Sequence, residues 1–225
     1  MTGGAWARAY EHAPYFLSVL WSGAIMTVIV TAGGFVVSIM LGILFAAFRT
    51  GRSRLLRSAA HVYVEIFRAV PVLTQLFVIY FGLAAIGIRL APIPAAIIGF
   101  GLNGGAYLSE VFRAGIEAVD RGQTEAALSI GMTKLMTLRT IVLPQAIRVV
   151  LPPIANFAIG LLKDTSLASA VAAPELSFNA HMLVDQTFLS TQIYLLVAAF
   201  YLAMSLPLAM IARRLERRAG RGRQG

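Results

Sequence analysis

The chain has 225 residues, of which 58% are hydrophobic, and its mean hydropathy is +0.77. This composition places the bulk of the chain in lipid. The net charge of +9 does not indicate nucleic-acid binding, because the arginines stand in patches beside apolar runs without interleaved stacking aromatics. Because cysteine is absent, the chain has neither a disulfide framework nor a thiolate metal site.

The first apolar run covers residues 16–48 and is long enough to exceed the hydrocarbon core of a bilayer. It is also too long for the core of a signal peptide, so we expect it to remain in the mature protein. Small residues recur every four positions along it, at Gly34, Ser38, Gly42 and Ala46. This stripe predicts close packing of another helix of the same subunit.

A short basic segment follows the first span, with Arg49, Arg52, Arg54 and Arg57. The positive-inside rule assigns such a segment to the cytoplasm. The N-terminus is therefore expected outside.

The second predicted span covers residues 59–88 and carries several polar residues. Glu65 and Arg68 are three residues apart, where opposite charges can pair on one helix face, and we favour that pairing over a role in transport. Pro71 is expected to kink the helix. Gln75, one turn later, needs a partner inside the bundle.

The third predicted span, residues 93–115, contains polar residues that make it a candidate for the transport pathway. They are Asn103, Tyr107 and Glu110. For Glu110, pairing with Arg113 and a part in gating are equally compatible with the sequence.

The fourth predicted span, residues 144–173, is interrupted by four polar residues: Lys163, Asp164, Thr165 and Ser166. A helix broken near 163–166 is expected, with Thr165 or Ser166 capping its second half and presenting amide groups to a substrate carboxylate. The alternative is that Lys163 and Asp164 merely neutralise each other near the outer leaflet.

The C-terminal part begins with residues 174–188, which lack Lys and Arg and are predicted as an external amphipathic helix with His181 on its surface. The fifth span covers residues 192–212. A basic patch then marks the cytoplasmic side, with Arg213, Arg214, Arg217, Arg218, Arg221 and Arg223. The predicted architecture is a single all-α transmembrane domain with five spans, the N-terminus outside and the C-terminus in the cytoplasm.

Residues 116–143 are predicted as a cytoplasmic loop that contains a short docking helix. Gln123 to Leu128 favour a helix, and the small side chains of Ala126 and Ala127 would let a partner approach its backbone. Gly131 would permit a sharp exit. The spaced motif in and after this loop is Glu125, Ala126, Ala127, Gly131, Ile141, Leu143 and Pro144.

This motif resembles the cytoplasmic EAA loop of binding-protein-dependent ABC importer permeases. Most of the chain is similar to the polar amino-acid, histidine/glutamine permease-like branch, at Glu65, Arg68, Pro71, Gln75, Tyr107, Glu110, Arg148, Asn156 and residues 144–146, 151–153 and 163–167. Ala69 departs from the Gly of that branch, at the turn before Pro71.

The resemblance implies a type I, MetI-like permease fold in the bacterial cytoplasmic (inner) membrane. It implies alternating access, with a second permease subunit that is identical or homologous, two ATP-binding cassette subunits and an extracytoplasmic solute-binding protein as partners. The chain has no ATP-binding loop, nucleophile elbow or metal-ligand spacing, so we expect no enzyme activity and no cofactor of its own. ATP and Mg would be used by the partner ATPases.

The alternative function is an ATP-independent secondary transporter or channel. Secondary transporters commonly contain paired internal repeats, and the motif is not repeated in the chain. The sequence therefore favours the importer.

The substrate implied by the resemblance is an amino acid or a related zwitterion. Several similar permeases that carry cationic amino acids have an acidic residue directly after the position of Asn156, where this chain has Phe157. Because a cation without a buried carboxylate is costly, we expect a neutral or acidic solute, unless a partner permease supplies the charge. The candidate pathway residues are Gln75, Asn103, Tyr107, Glu110, Asn156, Phe157, Lys163, Asp164, Thr165 and Ser166.

Overall fold

The computed structural model describes residues 2–51 and 53–220, with side chains for residues 4–51 and 53–217. This part of the chain is helical and contains no strand. Its helices are α1 (Thr2–Glu11), α2 (Ala13–Thr50), α3 (Arg54–Ala69), α4 (Val72–Phe77), α5 (Leu83–Ala85), α6 (Pro92–Glu117), α7 (Arg121–Ser129), α8 (Lys134–Thr137), α9 (Leu143–Asp164), α10 (Leu176–Thr187) and α11 (Ser190–Gly220). Three of the predicted cytoplasmic arginines, Arg52, Arg221 and Arg223, lie outside the described residues.

The small-residue stripe of α2 packs against α6, as predicted. Its four members are buried. A Cβ added at Gly42 would lie 2.8 Å from the Cβ of Leu108, and one added at Gly105 would lie 2.6 Å from the Cβ of Leu41. The two backbones therefore approach more closely than any larger side chain would permit.

Helix α2 also runs through both apolar clusters of the bundle. Near its N-terminus, Phe16 and Leu20 pack with Leu176 of α10 and with residues of α11. Further along, Val30 packs with Phe100 of α6 and with residues of α9. One face of α10, with Leu176, Ala180 and Leu183, is thus part of the bundle core, while His181 is exposed as predicted. The placement of this helix on the external side of the membrane stays a prediction.

The second predicted span is broken rather than kinked, because α3 and the helix that begins with α4 meet at 107°. Pro71 lies at the break, where it has no N–H to donate. The carbonyls of Phe67 and Val70, at the end of α3, accept hydrogen bonds from the Gln75 amide at 2.9 and 2.7 Å. The Asn103 amide donates a further bond to Phe67 at 2.9 Å, so these two side chains hold the broken end of α3 in place.

The fourth predicted span is not broken, since Lys134–Val171 forms one helix of 38 residues. It tightens from an α-helix into a 3₁₀-helix at Thr165. The Thr165 and Ser166 hydroxyls donate back to the carbonyls of Leu162 and Lys163, at 2.6 and 2.8 Å, and cap no new helix. The predicted half-helix N-terminus facing a substrate is therefore wrong.

Three helices in the described residues are long and apolar enough to cross a membrane: Ala13–Thr50, Lys134–Val171 and Ser190–Arg217. The bent pair of α3 and Val72–Ala85 would be a fourth if it counts as one span. Helix α6 has 26 residues, but polar residues such as Asn103 reduce its hydropathy. The five-span count and the orientation of the termini stay predictions.

Candidate coupling surface and transport pathway

Helix α7 carries the Glu-Ala-Ala motif. Asp120 starts the helix, because its carboxylate accepts a hydrogen bond from the Gly122 N–H at 2.7 Å. Glu125 and Ala126 are exposed, whereas Ala127 is buried against the bundle. Of the two alanines, Ala126 alone offers a partner close approach to the backbone, which corrects the expectation for Ala127.

The exit from α7 depends on Gly131, whose φ is +86°. Its N–H donates to the Leu128 carbonyl at 3.0 Å, and the Met132 N–H donates to the Ala127 carbonyl at 3.1 Å. Glycine adopts this left-handed conformation without the strain that a Cβ brings. The predicted sharp exit is confirmed.

An apolar surface continues from α7 into the turn after it. The exposed side chains are Leu128, Ile130, Leu135 and Met136, and Ile130 is 80% exposed. Several large apolar side chains exposed together outside the predicted spans are typical of a protein-binding surface.

Behind α7 lies a cavity of about 730 Å³. Its walls include Thr124 and Leu128 of α7, Thr50 of α2, Ile116 of α6 and Val142 in the helix that follows. Helix α7 thus contacts the bundle through the buried Ala127, and a cavity separates part of it from α2 and α6.

The predicted cytoplasmic segment of residues 116–143 is largely helical in the structure. Helix α6 continues to Glu117, and the helix that leads into α9 begins at Lys134. Ile141 and Leu143 therefore lie in that helix, together with Pro144, which the sequence placed at the start of the fourth span. A π-helical turn over Leu138–Val142 precedes Pro144 and relieves the clash of its ring with the preceding turn.

Glu110 joins three helices at one end of the bundle. Its carboxylate pairs with Arg49 of α2, with Arg113 at 2.9 Å and with Arg68 of α3 at 3.6 Å. Of the two possibilities left open for Glu110, the pair with Arg113 is present, and a part in gating stays a prediction. The predicted Glu65–Arg68 pair is wrong: Arg68 pairs with Glu110, and Glu65 makes no ion pair within the described residues.

Two neighbouring residues of α9 make the contacts most relevant to a pathway. Phe157 stacks on Tyr107, with ring centroids 5.5 Å apart, and on Phe35, at 6.2 Å. The Asn156 amide donates to the carboxylate of Glu216, on α11, at 3.2 Å. The sequence therefore lacks an acid directly after Asn156, but the fold supplies one from another helix.

The family comparison decides what kind of protein this is. Residues 38–221 match the family described as binding-protein-dependent transport system inner membrane component. The chain belongs to this family.

Named relatives agree with this assignment. The permease is 39% identical to the L-cystine transport system permease protein TcyB of Bacillus subtilis, over 92% of this chain and 88% of that protein. It is 34% identical to the glutamine transport system permease protein GlnP of Escherichia coli K12, over 95% and 96%. A crystal structure of an amino acid ABC transporter with histidines matches with a TM-score of 0.88 at 32% identity, covering 93% of the permease and 97% of that chain.

The remaining pathway candidates are not gathered in one place. Gln75 and Asn103 donate hydrogen bonds to carbonyls at the end of α3, and Glu110 is held by arginines. Lys163 and Asp164 are exposed at the end of α9 and form no ion pair within the described residues. The structure brings Tyr107 together with Phe157, and Gln75 together with Asn103, whose amides both donate to the Phe67 carbonyl. The other candidates lie elsewhere in the permease.

Sequence reasoning missed Glu175, which is fully buried in the permease. Its carboxylate accepts hydrogen bonds from the Ser177 and Phe178 amides at 2.9 and 2.8 Å, and from the hydroxyls of Thr27 and Tyr201 at 3.4 and 3.3 Å. Burial raises the pKa of this carboxyl, and the four hydrogen bonds oppose that rise. The sequence signal was its position directly before an apolar helix, where an acid can act as a cap.

Proposed function

We propose that this permease imports an amino acid or a related small zwitterion across the bacterial cytoplasmic membrane, by alternating access driven by separate ATPase subunits. The observation that carries the proposal is the exposed motif helix α7, which ends at a left-handed Gly131 and lies over a cavity. The named relatives, which are amino-acid permeases, support the substrate class.

The assembly that we propose has two permease subunits, identical or homologous, with two ATP-binding cassette subunits and an extracytoplasmic solute-binding protein. Each permease crosses the membrane five times, with its N-terminus outside and its C-terminus in the cytoplasm. Helix α7 and the apolar surface around Ile130 then face the ATPases.

Closure of the ATPase pair on ATP would press on α7. The space behind the helix lets it move, and the unbroken helix Lys134–Val171 carries that movement into the bundle. Asn156 and Phe157 lie on this helix, so the movement reaches the contacts with Tyr107 and Glu216. Hydrolysis in the partner subunits resets the cycle.

For the substrate, we propose a solute without a cationic side chain, that is, a neutral or acidic one. The contacts around Asn156 favour the neutral case. The carboxylate of Glu216 can balance the α-ammonium of a zwitterion, and it repels an additional anionic group. A cationic side chain would need a second free carboxylate near Asn156. Glu110, one turn from Tyr107, is occupied by three arginines, and Asp164, which has no ion-pair partner in the described part of the chain, lies eight residues further along α9.

The test of the importer is affinity purification of the permease from its own membranes in mild detergent, followed by mass spectrometry. We expect a Walker-motif ATPase in a copy number about equal to that of the permease. A permease that is purified alone, reproducibly and active in transport, would instead indicate an ATP-independent secondary transporter.

The substrate test uses the cognate solute-binding protein and reconstituted transport. We expect binding and uptake of neutral amino acids, with uptake reduced by Glu216→Gln and unchanged by Asp185→Asn, which removes an exposed carboxylate elsewhere. A receptor that binds arginine or lysine but no neutral amino acid would contradict the proposed substrate.

A further inference from the structure

A second cavity, of about 630 Å³, opens where α2 ends, α3 begins and α6 ends. Four arginines line it, together with Ser58, His61, Val62 and Glu117: Arg49, Arg54, Arg57 and Arg113. It is separate from the cavity behind α7, although Glu117 borders both.

The arginines of this cavity fall into two classes. Arg49 is bound to Glu110, and Arg113 is bound to both Glu110 and Glu117. Arg54 and Arg57 have no carboxylate within ion-pair distance in the described part of the chain, and Arg57 donates to the Gly51 carbonyl at 2.8 Å. Two guanidinium groups therefore remain for an anion at the mouth of the cavity.

Helix α3 adds an apolar surface beside this charge. Its buried face, with Ala60 and Val64, packs on the bundle. A second face exposes Leu55, Val62 and Ile66, which are 79%, 54% and 53% exposed. The polar residues that line the cavity form a third face between these two, because residues three or four apart lie on one side of a helix. They are Arg54, Arg57, Ser58 and His61.

Val62 belongs to both the cavity wall and the exposed apolar face, so the unpaired charge and the apolar surface are continuous. A ligand that matches both must carry an anion that guanidinium groups can bind and an attached hydrocarbon chain. Phosphate suits guanidinium geometry because its oxygens accept paired N–H donors.

We infer that this cavity binds the phosphate of an anionic glycerophospholipid, with Arg54 and Arg57 on the phosphate and an acyl chain along Leu55, Val62 and Ile66. The lipid ties the ends of α2, α3 and α6 to the membrane. In the proposed topology the cavity lies at the inner leaflet, where basic pockets between membrane helices attract anionic headgroups. This placement rests on the proposed topology, whereas the binding itself does not require transport.

The test uses the complete importer, purified and delipidated in detergent, and phosphatidylglycerol as the probe. Lipid retention is measured by native mass spectrometry during a phosphatidylglycerol titration. Arg54→Gln combined with Arg57→Gln should weaken retention roughly 30-fold, since each basic residue near an anionic surface contributes about a fivefold factor. The matched control is Arg213→Gln combined with Arg214→Gln, which removes the same charge from exposed positions of α11 and should retain the lipid as the unmodified permease does.

Two further arms identify the source of the anion. Phosphatidylcholine should be retained more weakly than phosphatidylglycerol, and a large excess of inorganic phosphate should fail to displace the bound lipid. Equal loss in both double variants, equal retention of phosphatidylcholine, or displacement by inorganic phosphate would each overturn the inference. The first two results would show general attraction or unspecific lipid, and the third would show a site for a soluble anion.

Lipid retention is read without ATP or substrate, so it is independent of the proposed import activity. Copurification of the ATPase with each variant shows that assembly is intact. A permease without ATPase partners that still retains phosphatidylglycerol through Arg54 and Arg57 would contradict the proposed function and support the lipid site.

Discussion

The interface of α2 with α6 and the attachment of α7 show opposite ways of packing a helix. In the first, glycines bring two backbones together, and the buried Ser38 hydroxyl donates to the Gly34 carbonyl at 2.7 Å and lies 3.3 Å from the Phe100 carbonyl. In the second, Ala127 is the buried residue of the helix, and a cavity of about 730 Å³ lies behind it. The difference indicates that the α2–α6 interface, which we call the frame, is rigid, and that α7, which we call the lever, can move.

The frame is also held by charge. Glu110 of α6 pairs with Arg49 of α2, whose side chain is only 12% exposed. No comparable ion pair involves α7 within the described residues. Substitutions in the frame should therefore change stability, while substitutions in the lever should change coupling.

The largest effect is expected for Glu110→Gln. It leaves the mostly buried Arg49 without a charged partner, which costs about 3 kcal/mol, or somewhat less because 22% of the Glu110 side chain is exposed. Thermal unfolding in detergent, followed by size-exclusion chromatography, measures the loss. The matched control is Glu117→Gln, which removes another partner of Arg113. Because the Glu117 side chain is 59% exposed, its loss should lower the stability by only about 0–1 kcal/mol. Equal destabilisation by both variants would contradict the role of Glu110 in the frame.

The next effect is expected at the glycine contact. Gly42→Ala brings a methyl group to within 2.8 Å of the Leu108 Cβ, which can move only with its backbone. We therefore expect a loss of stability of about 1–3 kcal/mol. Gly160→Ala meets nothing within 4 Å inside α9 and should be neutral or stabilising by up to ~1 kcal/mol. The same unfolding assay compares the two variants, and unchanged stability of Gly42→Ala would show that the interface is looser than described.

A smaller free-energy change with a large effect on activity is expected at the lever. Gly131→Val places a β-branched side chain at φ +86°, which strains the exit of α7 by about 1–2 kcal/mol and leaves the bundle intact. ATP hydrolysis by the complete importer should no longer respond to the loaded binding protein. Gly131→Asn is the control, because Asn tolerates left-handed backbone better, and it should keep most of the response. Loss of membrane insertion by Gly131→Val would assign the glycine to folding.

The smallest effect concerns Glu175, which attaches α10 to the frame at Thr27 and to α11 at Tyr201. Because burial raises the pKa of this carboxyl in the folded state, its contribution to stability is fully present below the ordinary carboxyl pKa and declines as pH rises through the raised pKa. The unfolding temperature should therefore fall slightly over that interval. Glu175→Gln should show a flatter pH dependence, and an unchanged slope would assign the effect to other groups.

The frame was largely visible in the sequence. Small residues every four positions of α2 predicted a close helix contact, which α6 makes, and the spacing of Glu110 and Arg113 was compatible with their ion pair. The pair of Arg49 with Glu110 joins residues 61 positions apart, and no local pattern reveals such a partner. Arg68 was therefore assigned to the nearer Glu65.

The breaks in the helices were less predictable, because they depend on where the freed backbone groups find partners. Pro71 indicated a kink, whereas the structure has a 107° break, at which Gln75 and Asn103 bond to the end of α3. Thr165 and Ser166 looked like caps, yet their hydroxyls bond to carbonyls of the preceding turn and let the helix continue. The carboxylate that reaches Asn156 comes from Glu216, 60 residues away, beyond any local reading.

The central claim is that α7 docks into an ATPase through its exposed face, and cysteine cross-linking tests it most directly. The permease has no cysteine of its own, so single substitutions provide unique attachment points. We predict that Ala126→Cys forms a cross-link to a cysteine in the cleft of the ATPase, and that the link depends on the nucleotide state. Ala127→Cys, at a position 5% exposed, should cross-link weakly or not at all. Equal cross-linking from both positions, or none from Ala126→Cys in an active importer, would contradict the account.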